Sequence, residues 1–170
     1  PPPPPNLDAK QRAGLRMALT EKRTSLLAGL RSGDKATRFA AVRALGFIEE
    51  ISAADGVARL LTDPHPPVRS AAALALGMIG NPRIRSDLLV AVTDPVAEVR
   101  AASLYAMRRL AFGATEASIA LRDGSTGVRR QAALLLRDLS PYDPPHDSAI
   151  EYKLLRSLKD EDVQVRLVSA

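Results

Sequence analysis

The chain contains no Cys and no Trp, it has only two His, and aromatic residues make up 4% of its 170 residues. Each shortage removes a class of chemistry. Without Cys there is no disulfide framework, thiolate-bound zinc, iron–sulfur cluster or thiol nucleophile. The two His, at 65 and 146, sit beside prolines and far apart in sequence, so neither a metal centre nor a cofactor is expected. Scarce aromatics leave little of the stacking platform on which bases are usually held. Long apolar runs are also missing. No segment approaches the roughly 18 residues of a bilayer-spanning helix, and no signal peptide is recognisable. The lack of Cys suits a reducing compartment and favours the cytoplasm. An export signal or anchor ahead of residue 1 in a longer parent is the other option.

What is present is ordinary globular material: 46% hydrophobic and 25% charged residues. Ala and Leu supply most of the apolar share, which suits helices packed at short distance and suits β-sandwiches badly. The length allows one core or a short repeat array. The formal net charge is +5, and 19 of the 24 basic residues are Arg. So small an excess does not by itself assign an anionic partner.

Residues 1–5 are all proline, favour extended polyproline II and read as a linker remnant. Residues 6–170 read as a single repeat domain. Within it, Leu7, Leu15, Leu19, Leu26, Leu27 and Leu30 mark one long helix or two short ones. At the other end, Val163, Val165, Leu167 and Val168 form an apolar helical pattern that stops abruptly, so the last repeat reads as truncated. A solenoid end needs a polar cap. That face is expected to be continued by a parent chain or covered by another molecule, including a second copy.

The repeat is the decisive signal. Four segments place Asp, four residues, then Val-Arg: Asp63 to Arg69, Asp94 to Arg100, Asp123 to Arg129 and Asp160 to Arg166. An imperfect copy runs through Asp34, Thr37 and Arg38. The Arg positions 38, 69, 100, 129 and 166 are 31, 31, 29 and 37 residues apart. After each Arg comes a helical apolar stripe, as in Ala71, Ala72, Ala75, Leu76 and Ile79. Before each Asp lies a shorter helical segment. Each unit is thus helix A, an Asp-led turn, and helix B. The approximate spans are 6–51, 52–80, 81–112, 113–140 and 147–170. Gly80-Asn-Pro82 and Gly113 read as helix stops.

The Asp…Val-Arg…Ala-Ala…Ala-Leu-Gly pattern of Asp63 to Gly77 resembles HEAT repeats, in particular the short bacterial variety of the phycobilisome-lyase type. The resemblance covers about residues 30–170. It implies an all-α, right-handed α-solenoid of about five helix pairs. It also implies a ladder in which Asp63, Asp94, Asp123 and Asp160 bond across repeats with the Arg residues of the series Arg69, Arg100, Arg129 and Arg166. Read as exposed ion pairs, the rungs are each worth about 0–1 kcal/mol, with about 1 kcal/mol for each turn-capping Asp.

No catalytic constellation stands out. His146 with Asp143 and Asp147 reads as a helix-entry loop, and Asp160-Glu-Asp162 as a turn and helix start. Gly77-Met-Ile-Gly80 lacks the Lys-Ser/Thr of a phosphate loop. Enzymes on similar scaffolds need His-Glu pairs or Trp that are missing here. The expected role is therefore a non-catalytic scaffold that binds an acidic or amphipathic protein segment. In the resembled family the B helices line the concave face. Positions two, five, six, nine and ten after each repeat's Val are left outside the stripe, including Ala73, Leu104, Ala133 and Gly77. The best candidates for partner contact are Arg43, Leu74, Tyr105, Arg108, Arg130, Leu134 and Arg137. A nucleic-acid-binding module tracking phosphates with these Arg is the alternative, and it entails steep salt dependence.

Overall fold

The computed structural model describes residues 9–139 and 158–169. Among them there is helix and turn but no strand. One long helix, α1 (Ala9–Gly29), opens the array, settling the one-helix option over two short ones. The B helices follow as α2 (Lys35–Phe47), α4 (Pro66–Ile79), α6 (Ala97–Arg109) and α8 (Thr126–Leu139). Shorter A helices precede them: α3 (Ala54–Ala58), α5 (Arg85–Ala91) and α7 (Ala114–Ala120). The last helix is α9 (Val163–Ser169). Successive B helices pack on one another, α2 on α4, α4 on α6 and α6 on α8, and each rests on its own A helix. This is an α-solenoid.

Local chemistry accounts for the boundaries. Two prolines open α4, where missing amide donors cost nothing, and Gly80 closes it in the left-handed region at φ 73°. Gly113 does not stop α6 as the sequence suggests. That helix ends at Arg109, Ala111 takes the left-handed turn at φ 51°, and Gly113 caps the start of α7.

The apolar stripe is buried along α4, α6 and α8, with Val68, Ala72, Leu76, Val99, Met107, Val128 and Leu136 essentially sealed; in α2 Ala41 and Leu45 are buried but Ala40 is exposed. The buried arc is wider than a simple stripe. Ala73, Leu104 and Ala133, expected to face outward, are fully buried, as is their counterpart Val42. The B helices α4, α6 and α8 are enclosed by their A helices and by helices on either side, and α2 by α1 and α4, so a third row of positions joins the core.

The Asp–Arg ladder is regular. Arg38 Nε donates to Asp63 Oδ2 at 2.6 Å and its Nη2 to Oδ1 at 3.1 Å. The same two-pronged contact joins Arg69 to Asp94, Arg100 to Asp123 and Arg129 to Asp160, each with an Nε–Oδ2 distance of 2.7–2.8 Å. The third arm, Nη1, donates to the carbonyl six residues upstream: Ser32, Asp63, Asp94, Asp123 and, from Arg166, Asp160. One Arg therefore closes its own turn and grips the next. In the first copy the residue matching the ladder Asp is Ser32 rather than Asp34. Its hydroxyl accepts the Asp34 amide, while Asp34 itself caps α2. Elsewhere the Asp Oδ1 accepts the amide two residues on, at His65, Val96, Ser125 and Asp162.

These rungs are not exposed pairs. The Asp63 side chain is 2% exposed and that of Arg38 10%. Burial pushes the Asp63 and Asp94 carboxyls up, but hydrogen bonds and charge from their Arg partners, with amide donors, hold both below the ordinary value of 3.8. For Asp123 and Asp160 the Arg hydrogen bond is the largest influence and the result is again a lowered pKa. A lowered folded pKa means that the stability contributed is complete above the unfolded value and is lost as pH falls through the folded one. Thermal unfolding followed by circular dichroism is therefore expected to show a steady midpoint down to about pH 5 and a steep fall below about pH 4. A midpoint insensitive to acid in that range contradicts a stabilising ladder.

Candidate functional site

The first three B helices approach closely because small residues meet. A Cβ at Gly46 would lie 2.8 Å from Ala75 Cα, and one at Gly77 would lie 2.8 Å from Ala106 Cα. Side chains flanking these contacts leave a groove of about 1140 Å³ between α2 and α4. Phe39, Arg43 and Phe47 form one wall, Leu74 and Met78 the other, with Pro66, Pro67 and Ser70 at one end and Val96 and Glu98 on the far lip. The lining is apolar apart from Arg43, Ser70 and Glu98. Phe47 is 84% exposed although it belongs to a helix, and Ile48 and Ile51, just after it in the chain, are exposed as well.

Positions one, five and nine after each rung Arg generate this surface. They are Phe39, Arg43 and Phe47 in α2, and Ser70, Leu74 and Met78 in α4. In α6 they are Ala101, Tyr105 and Arg109, and in α8 Arg130, Leu134 and Asp138. The sequence candidates therefore separate. Arg43 and Leu74 line the groove, and Arg43 stacks on Phe39 with 5.6 Å to the ring centre. Tyr105, Arg108, Arg130, Leu134 and Arg137 are not part of the groove lining and stand on α6 and α8. Arg108 lies 5.5 Å from the centre of the Tyr105 ring and 3.7 Å from Asp138, which Arg137 also meets at 3.2 Å. Arg130 is exposed. Phe39 and Phe47 were not among the candidates. Running the register of the later repeats through the first copy finds both.

His65 is absorbed by the ladder: its Nδ1 lies 3.1 Å from Asp63 Oδ1 and 3.4 Å from Arg38 Nη2. Asp160 is a rung, and Asp162 caps α9 through the amides of Gln164 and Val165. His146, Asp143 and Asp147 lie outside the described residues. Among the described residues no group of acidic or His side chains has the grouping to hold a metal ion. Nor is any described helix long and apolar enough to cross a membrane.

Paired helices, a continuous Asp–Arg ladder and an open B-helix surface define a repeat scaffold. The chain belongs to the HEAT-repeat family, whose model, described as HEAT repeats, matches residues 24–108. No curated protein matches it significantly. Solved structures share the fold at low identity. A designed armadillo repeat protein in complex with the peptide (KR)4 is 16% identical, with 91% of this chain and 82% of that one covered at a TM-score of 0.71. An engineered protein is 20% identical over 87% of this chain and 76% of its own, at 0.69. The complex of CpcE and CpcF of phycocyanin lyase from Nostoc sp. PCC7120 gives 22% identity over 95% and 70%, at 0.64.

Proposed function

We propose that this chain binds a protein or peptide partner along the exposed face of its B helices, the concave face expected for the family, and is not itself a catalyst. The apolar groove between α2 and α4 carries the reading. A solvent-facing Phe47 beside Phe39, Leu74 and Met78 resembles the desolvated centre of an interface, where aromatic anchors dominate binding energy. Arg43 and Glu98 supply a polar rim. A basic peptide, such as the one on the designed armadillo protein, would meet like charge on α6 and α8.

Phe47 separates binding from folding. Its side chain supports little of the core, so Phe47→Ala is expected to change stability by no more than about 0.5 kcal/mol. The same change is expected to weaken a peptide selected on the intact chain at least about tenfold. Fluorescence anisotropy with that peptide checks both statements when paired with a urea melt. Unchanged affinity removes the groove from the binding face.

A further inference from the structure

The surface positions divide into two chemically distinct halves. In α2 and α4 they hold Phe39, Phe47, Leu74 and Met78 around one Arg. In α6 and α8 they hold Arg109 and Arg130 with Ala101, Tyr105, Leu134 and Asp138, and Arg108 and Arg137 stand in the adjoining row, both meeting Asp138. Counting Glu98 at the start of α6, four guanidinium groups stand against two carboxylates, an excess of two positive charges. Arg109 occupies the place of Met78 and Phe47, and Arg130 the place of Ser70 and Phe39, so the charge lies in line with the groove.

Resting on the proposed function above, we infer that the partner is a two-part peptide segment, with an apolar block that fills the α2–α4 groove and an adjoining acidic block that lies on α6 and α8. Charge complementarity chooses the acidic block. Exposed guanidinium groups at the rim raise association rate and exclude basic partners. An apolar groove beside them removes the need for a long acidic tract. The geometry also sets the scale. Neighbouring helices sit about 8–10 Å apart, so α2 to α8 spans roughly 24–30 Å. An extended chain advances about 3.3–3.6 Å per residue, and about eight residues cross the whole face.

A random library of peptides about twelve residues long, selected on the full chain, tests this. The expected winners carry apolar residues adjoining a run of Asp or Glu. Their affinity is expected to fall about tenfold on the Arg130→Glu/Arg137→Glu variant, and to fall with added salt. Both Arg are exposed, so the variant's unfolding midpoint is expected to match the parent's. Selection repeated on the variant is expected to keep the apolar block and lose the acidic one. Winners without acidic residues, or winners that bind the variant equally well, overturn the two-part partner. If those winners still depend on Phe47, the groove reading stands without it. Peptides indifferent to Phe47 and to both Arg, or a library with no enrichment, overturn both. Duplex or single-stranded nucleic acid that outcompetes the peptides on α6 and α8 also overturns the acidic-peptide assignment.

Discussion

Replacing Asp63 with Ala is expected to lower the unfolding free energy by about 3 kcal/mol, toward the range for breaking a buried ion pair by removing one partner. Asp63 is the most enclosed acid of the ladder, and its carboxylate accepts from the Arg38 guanidinium and the His65 amide, with the His65 ring 3.1 Å away. Truncation leaves the largely buried Arg38 without a counter-charge on this rung, held by the Ser32 and Gly33 carbonyls and beside the His65 ring. It also strips the turn before α4 of its organising bond. A surface pair would cost a fraction of this. Asp123→Ala provides the internal comparison, because its rung is more open, with side-chain exposures of 22% for Arg100 and 14% for Asp123. A smaller loss is expected there. Urea denaturation of the two variants orders the effects. A loss below about 1 kcal/mol at Asp63 would place the rungs with ordinary surface pairs.

Gly77→Leu is expected to cost at least about 3 kcal/mol, at the upper end for overpacking. The obstruction is the Ala106 backbone, which cannot rotate away as a side-chain tip can. Gly77→Ala isolates the first carbon. Helix propensity favours Ala over Gly by about 1 kcal/mol, but the new methyl would sit 2.8 Å from Ala106 Cα and 3.1 Å from its Cβ. The steric cost wins, and a net loss of about 1 kcal/mol is expected. Gly14, in α1 with open space around it, is the control, where Ala should leave stability equal or slightly raised. Thermal melts of the three variants report the order directly. A stabilised Gly77→Ala would mean that α4 and α6 are not held at this spacing.

Much of this molecule is legible in its sequence because a repeat states the same physics several times. The Asp…Val-Arg spacing picks out all four Asp and three of the four Arg of the described rungs, since each turn sets them at the same offset; Arg38, which follows Thr37, belongs to the imperfect copy. The stripe of Val68 through Ile79 located the core of α4 for the same reason. Three things were hidden. The burial of Ala73, Leu104 and Ala133 depends on helices on both sides, which the pattern of one helix does not express. Ser32 as the first copy's Asp substitute was masked by the nearby Asp34, although the six-residue offset from Arg38 falls on Ser32 and the guanidinium closes the turn through its carbonyl. The division of the surface escaped because Arg43, Leu74, Tyr105 and Leu134 occupy one row and read as a single mixed groove. Only the neighbouring rows, with Phe39 and Phe47 at one end and Arg109 and Arg130 at the other, separate its halves.

The deciding measurement is the affinity of one selected peptide for Phe47→Ala beside Val90→Ala. Val90 is 68% exposed and belongs to the A helix α5, away from the groove. Both substitutions remove an exposed apolar side chain and should leave folding intact. If the B-helix surface binds the partner, Phe47→Ala weakens the peptide at least about tenfold and Val90→Ala leaves it unchanged. Equal affinity for both variants, or a loss confined to Val90→Ala, contradicts it.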